Sequence, residues 1–222
     1  MTLDFLSLYN ECAGQPWSMF DNDAESIEDF ESAMRISINK ATSTLWNYQP
    51  WSFRKDKSTI KLKAGRAEYE APNGLLLRKV IDGTQRYGVK YSGKFLEYEP
   101  EFELLDEKTG EPESFYIDGD TIYIYPTPDD AYKIELHYLR QPYALTEDDD
   151  VAYELVNDTD YINIPEKYET LFKNCVISLA MMYAIAEPTD ENYAGYERQY
   201  EDALAVLLKY CKNGLVDKNI VW

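Results

Sequence analysis

The chain has 222 residues, 45 % hydrophobic and 28 % charged, which fits one folded domain, or one domain with a large insertion, and excludes a disordered chain. Its net charge of −19 repels nucleic acid as a whole. The longest apolar stretch, around residues 177–185, is about half of what a membrane span needs, and Met1-Thr2-Leu3-Asp4 lacks the basic head and apolar core of a signal peptide, so folding and assembly in a cytoplasm are expected, with no membrane partner.

Residues 3–12 carry apolar side chains at 5, 6, 8, 9 and 12, which predicts a short helix stopped by Gly14-Gln15-Pro16. Ser26 with Asp29 reads as a capping box. Ile27, Phe30, Met34, Ile38, Ala41, Leu45 and Tyr48 then follow at steps of three or four, one apolar stripe along a long helix that Pro50 ends. The period changes to two from residue 58. Strands are predicted over 58–63, 67–69, 75–81 and 87–98, with Gly83, Gly88 and Gly93 as breakers.

The clearest hairpin pairs Phe115-Tyr116-Ile117 with Thr121-Ile122-Tyr123-Ile124-Tyr125 across Asp118-Gly119-Asp120, because Asp-Gly supplies the positive φ a tight turn requires. The next strand puts Tyr132, Ile134, Leu136 and Tyr138 on one face and Lys133, Glu135 and His137 on the other. Thr146-Glu147-Asp148-Asp149-Asp150 reads as an acidic loop. Pro165 opens a helix at the first-turn position where its missing N–H costs nothing, with a stripe of Tyr168, Leu171, Cys175, Leu179 and Met182. Glu187-Pro188-Thr189-Asp190 turns the chain into a last helix carrying Tyr193, Tyr196, Tyr200, Leu204, Leu207 and Cys211, which Asn213-Gly214 stops.

The fold class is therefore α+β, a helical bundle built from both chain ends with an inserted antiparallel β-domain. The expected divisions are 1–50 and 165–213 for the two helical parts, 51–143 for the β-domain, 144–164 for an acidic loop and 214–222 for a C-terminal tail.

Charge is unevenly spread. Residues 54–94 hold 11 Lys and Arg against 4 Asp and Glu, a net of +7, and the remainder stands at −26. Arg54, Lys55, Lys57, Lys61, Lys63 and Arg66 cluster beside Trp51 and Phe53. Three readings fit: an ordinary solvated face, a grip on single-stranded nucleic acid, or a basic face of one copy that meets an acidic face of the next. Twenty tyrosines and four tryptophans suit interfaces, since Tyr buries ring area and keeps a hydroxyl for polar partners; strands also favour them.

The search for chemistry gives little. The chain has no G-x-S-x-G, H-E-x-x-H or phosphate-binding glycine loop. Cys12, Cys175 and Cys211 are far apart and read as reduced, buried small hydrophobes. The single histidine, His137, lacks a ligand-spaced companion, so no metal is expected. Asp21-Asn22-Asp23 and Asp148-Asp149-Asp150 match no calcium loop. A carboxylate pair for glycoside cleavage is always available among 41 acids, so a virion-associated cell-wall-degrading enzyme stands as one alternative, and a DNA-binding neck module as another. No catalytic residue, cofactor or metal ligand is assigned.

Five landmarks, in order, carry a resemblance. Leu45-Trp46-Asn47-Tyr48-Gln49-Pro50-Trp51-Ser52-Phe53-Arg54-Lys55 resembles the start of phage head-to-tail adaptor proteins. Tyr69-Glu70-Ala71-Pro72 follows, then Phe115-Tyr116-Ile117 with Ile122-Tyr123-Ile124-Tyr125-Pro126-Thr127-Pro128. Tyr138-Leu139-Arg140-Gln141-Pro142 leads to Leu145-Thr146-Glu147-Asp148-Asp149, and Ile164-Pro165-Glu166-Lys167-Tyr168 opens two closing helices. The order spans residues 25–210.

The resemblance, best known from short-tailed, podovirus-like phages, implies a structural subunit of the virion neck. It implies a homo-oligomeric ring, commonly of twelve copies, beneath the portal protein. The ring continues the DNA channel without gripping DNA and attaches other tail or neck proteins. The family has no shared catalytic motif. This chain departs from it in the acidic connection 148–163 and in a tail ending Ile220-Val221-Trp222. Those three residues are read either as folding back onto their own bundle or as docking on a partner.

Overall fold

A computed structural model describes residues 3–14, 27–71, 75–76, 88–100, 107–185 and 191–213. The chain is α+β, with helices toward both ends and mainly antiparallel sheets between them. It divides into two compact units, one made of Met1–Phe53 with Pro142–Trp222 and the other of Arg54–Gln141.

The first unit contains α1 (Phe5–Ala13), α2 (Ile27–Asn47), α3 (Glu166–Ala184) and α4 (Glu191–Asn213). Asp4 caps α1, its carboxylate accepting from the Ser7 N–H at 2.7 Å. The N–H groups of Phe5 and Leu6, which a helix cannot satisfy internally, donate to the carbonyls of Asp160 and Asp158. α2 follows the predicted stripe: Phe30, Met34, Ile38, Ala41 and Leu45 are buried. Tyr48 lies past the helix end and is exposed, and Trp46 turns inward in its place. The Ser26–Asp29 capping box lies outside what the structure describes. At the C-terminal end, the Leu45 carbonyl accepts from the Tyr48 N–H at 3.2 Å and from Trp51 Nε1 at 2.7 Å, which ties the chain after the helix back onto its last turn.

α3 packs on α2 and α4, and α1 on α2 and α3. Its central position explains why its buried face, which includes Phe172, Val176, Ala180 and Met181, is wider than the predicted stripe. Pro165 is the N-cap in extended conformation, one residue before the predicted position; its fixed φ and missing N–H are tolerated there equally well. An aromatic cluster fills the middle. Trp51 stacks on Phe53 with centroids 5.6 Å apart, and Phe53 meets Trp46 at 5.7 Å and Tyr168 at 5.1 Å. Trp51, Phe53 and Tyr143 thus belong to the helical core, although the sequence pattern grouped them with the strands.

The segment 144–164, expected from sequence to be an acidic loop, keeps its acidic run 146–150 outside any strand but has short strands on either side. It contains a three-stranded antiparallel sheet of Ala144–Leu145, Val151–Ala152 and Tyr161–Ile162. Strands this short leave no periodic signal. Polar side chains fix the segment. Asn39 on α2 donates Nδ2 to the Leu155 carbonyl and accepts on Oδ1 from the Leu155 N–H and the Tyr143 hydroxyl, each at 2.9 Å. Asp160, 1 % exposed, accepts from the N–H groups of Val156 and Asn157 at 2.7 and 2.8 Å. Arg35 pairs with Glu31 and Asp158 and lies over the rings of Phe5 and Tyr9.

Among the described residues the second unit has eleven strands: β1 (Lys55–Lys61), β2 (Glu68–Glu70), β3 (Leu75–Leu76), β4 (Gly88–Tyr91), β5 (Lys94–Phe95), β6 (Glu97–Tyr98), β7 (Thr109–Gly110), β8 (Ser114–Asp118), β9 (Thr121–Tyr125), β10 (Thr127–Pro128) and β11 (Lys133–Arg140). One sheet orders β1-β11-β4-β5, with β3 also on β11, and another orders β2-β9-β8-β6. Pairing is antiparallel except for β6 with β8 and β7 with β10. The predicted β8–β9 hairpin forms in register Phe115↔Ile124 and Ile117↔Ile122, with Gly119 at φ +54, a conformation glycine adopts without strain. The inward positions of both sheets, among them Val89, Ile134 and Leu136 from one and Tyr69, Phe115, Ile122 and Ile124 from the other, form one core.

Candidate interaction surfaces

The six basic residues singled out in the sequence do not form one patch. Arg54 is 2 % exposed and its Nε donates to the Arg140 carbonyl at 3.0 Å, so it is not part of an open face. Lys55 is half-buried. Lys57 and Lys61 are exposed on β1. Lys63 and Arg66 lie in the exposed β1–β2 connection, which wraps the Tyr69 hydroxyl: that hydroxyl accepts from the Lys63 N–H and donates to the Arg66 carbonyl at 2.7 Å.

What surrounds Lys57 and Lys61 is set by register. Residues opposite each other in an antiparallel pair share a face, as do positions two apart. Lys57 pairs with His137, Thr59 with Glu135 and Lys61 with Lys133; Glu135 pairs in turn with Lys90, and Lys90 with Phe95. The outer face of the β1-β11-β4-β5 sheet therefore gathers Lys57, Lys61, Lys90 and Lys133 against Glu135. Lys90 Nζ lies 4.4 Å from the Phe95 ring centroid, and Phe95 meets the His137 ring edge-on. His137 Nε2 stands 3.4 Å from Glu135 Oε2. Burial of the imidazole, with Lys90 and Lys57 adding to it, outweighs the Glu135 contact and holds His137 below its ordinary pKa. The residue is thus neutral near pH 7 and serves as part of the face's packing.

The β2-β9-β8-β6 sheet presents the opposite chemistry. Its outward positions follow from Glu68↔Tyr123↔Tyr116, Glu70↔Thr121↔Asp118 and Tyr125↔Ser114↔Glu97. Glu68, Glu70, Glu97 and Asp118 are exposed, and no Lys or Arg occupies these outward positions. Tyr116 and Tyr123, centroids 6.1 Å apart, lie half-buried among them. Lys90, Lys133 and this acidic face were missed in the sequence because their grouping depends on which strands pair. The alternation of Glu68 and Glu70 around Tyr69 was a visible signal for one strand of it.

Other candidates carry no chemistry. Cys12, Cys175 and Cys211 are buried free thiols, as expected. Burial pushes them up to about 12, about 12 and about 11, so none is a ready thiolate. No group of three or more His, Cys, Asp and Glu suited to a metal occurs among the described residues. In the acidic run, Asp149 accepts from the Tyr161 hydroxyl and the Asp150 N–H donates to Thr146 Oγ1, which makes it a hydrogen-bonded turn. Asp21-Asn22-Asp23 and the Ile220-Val221-Trp222 tail lie outside the described residues.

The model of one protein family, described as SU10 adaptor protein, matches residues 15–216. No curated protein matches the chain.

Proposed function

The chain belongs to the SU10 adaptor protein family, a family of phage head-tail adaptors, and from that premise we propose that it forms a closed ring beneath the portal in the virion neck. The ring has about twelve copies, continues the DNA channel and carries other neck or tail proteins. Subunits fold in the host cytoplasm and join a DNA-filled head. The family is structural, and the chain acts by assembly without catalytic turnover, cofactor or metal.

The observation that carries this reading is the extent of the match, which runs through both compact units. Two physical points support it. A net charge of −19 suits a channel part that must let DNA slide past without holding it. A ring also needs two different surfaces per subunit, because its contacts run head to tail. No described helix is long and apolar enough to cross a membrane. In the same reading, Ile220, Val221 and Trp222 dock on the portal or on the adjacent adaptor. Burying these anchors is worth roughly 3 to 5 kcal/mol before ordering costs, repeated at every subunit.

The test is complementation. Heads made without this chain should retain the portal and fail to acquire tails, and the purified chain should restore tail attachment. Tails that attach equally well without it would end the adaptor reading.

A further inference from the structure

We propose that the charged ring contact is made by the inserted unit, the basic outer face of the β1-β11-β4-β5 sheet of one copy lying on the acidic, tyrosine-bearing outer face of the β2-β9-β8-β6 sheet of a second copy. The proposal rests on the ring reading above and adds which surfaces meet. It also changes the partition drawn from sequence: the complementary acid is found in the same unit as the base, and the acidic chain ends are not required.

Three observations lead to it. First, the two sheets share one core, with Val89, Ile134 and Leu136 meeting Tyr69, Phe115, Ile122 and Ile124. Their outer faces therefore look away from each other, as the two surfaces of a head-to-tail subunit must. Second, the signs are sorted by sheet. Among the described residues, Lys57, Lys61, Lys90 and Lys133 face Glu135 alone on one side, and Glu68, Glu70, Glu97 and Asp118 meet no cation at the outward positions of the other. Either face pressed on its own kind brings like charges together, which disfavours a two-fold dimer and leaves the head-to-tail contact. Third, each face has aromatic area for its middle: Phe95 with His137 on the basic side, Tyr116 with Tyr123 on the acidic side. An interface needs such a packed centre inside a polar rim.

The decisive experiment exchanges the charges. One variant carries Lys57→Glu, Lys61→Glu and Lys133→Glu, making both faces acidic. The other carries Glu68→Lys, Glu70→Lys and Asp118→Lys, making both basic. Each is added to portal-bearing heads lacking the chain, and bound copies per head are counted. The wild type fills the ring. Either variant alone loses occupancy by about tenfold or more. An equimolar mixture recovers wild-type occupancy, because the two variants alternate around the ring with opposite charges at every contact; recovery also shows that both variants are folded. Alanine at the same six positions gives a partial loss that mixing does not repair.

The face assignment is overturned if either charge-reversed variant fills the ring alone, or if the mixture fails to recover while both variants melt as the wild type does. It is equally overturned if the wild type binds duplex DNA tightly and the Lys reversals abolish that binding, which would assign the basic sheet to phosphates. A wild type that does not attach to heads at all defeats the adaptor reading itself, a result distinct from heads on which wild type and variants attach alike.

Discussion

The helical unit and the inserted β-unit use their polar side chains in opposite ways. In the helical unit they are tied to one another and to the backbone, Asn39 to Leu155 and Tyr143 and the buried Asp160 to Val156 and Asn157, with Arg35 bridging Glu31 and Asp158 nearer the surface. In the β-unit the inward positions of the two sheets are apolar or aromatic, and apart from the buried Arg54 the charged residues named above stand outward, sorted by sign between two sheets. Buried polar groups are costly unless partnered, so the first arrangement fixes one conformation. Exposed charges on a strand contribute little to stability and are free to be arranged for a partner. The lesson is that substitutions in the helical unit should be read in melting experiments, and those on the sheet faces in assembly.

The largest expected effect sharpens the first half of that contrast. Trp46 is fully buried against Phe53, Tyr143 and Phe172, and Trp46→Ala should cost roughly 3 to 5 kcal/mol in urea unfolding. A loss under about 1 kcal/mol would mean that the aromatic cluster does not organise this unit. Next comes Asn39→Leu, which keeps the branched heavy-atom skeleton and removes three hydrogen bonds. Leaving the Leu155 N–H and carbonyl and the Tyr143 hydroxyl without that partner should cost about 1 to 3 kcal/mol. Hydrogen exchange should show the 144–164 segment opening ahead of the helices; unchanged protection there would detach Asn39 from the role given to it.

Asp160 adds a pH dependence. Burial acts to raise its carboxyl, but the N–H groups of Asn157 and Val156 and the Asn157 amide outweigh it and hold the pKa below 3.8. A depressed folded-state pKa contributes stability that is present above the unfolded value and lost as pH falls through the folded one. Asp160→Asn should therefore lower the melting temperature at pH 7, with the gap to wild type closing below pH 3.8. A gap that is constant with pH would show that the carboxylate charge is irrelevant. The smallest effect on stability is expected from deleting residues 216–222. The melting temperature should be nearly unchanged while attachment to the neck is lost. A truncated chain that loses several degrees yet still joins the particle would return Trp222 to its own core.

Much of the fold was legible because its elements are long or strictly periodic. The stripe from Phe30 to Leu45 gave α2, the alternation Ile134-Leu136-Tyr138 gave the inward side of β11, and Asp118-Gly119 gave the hairpin. The adaptor landmarks also have a physical meaning: Trp46, Trp51 and Phe53 in the first of them build the helical core. The sheet inside 144–164 was hidden because two-residue strands have no period. The surfaces were hidden for a different reason. Lys57 and Lys61 are neighbours of Lys133 and Lys90 only through the register of β1 with β11 and β11 with β4, and pairing between distant strands is not encoded in local spacing. Arg54 illustrates the same limit, since its burial follows from a contact with Arg140, eighty-six positions away.

The central claim is that this chain is a ring-forming adaptor, and copy counting tests it most directly. Native mass spectrometry of necks released from intact particles should give a number of copies equal to the portal subunit number or a simple multiple of it. A count that does not match the portal symmetry, or necks that contain no copies, would contradict the account.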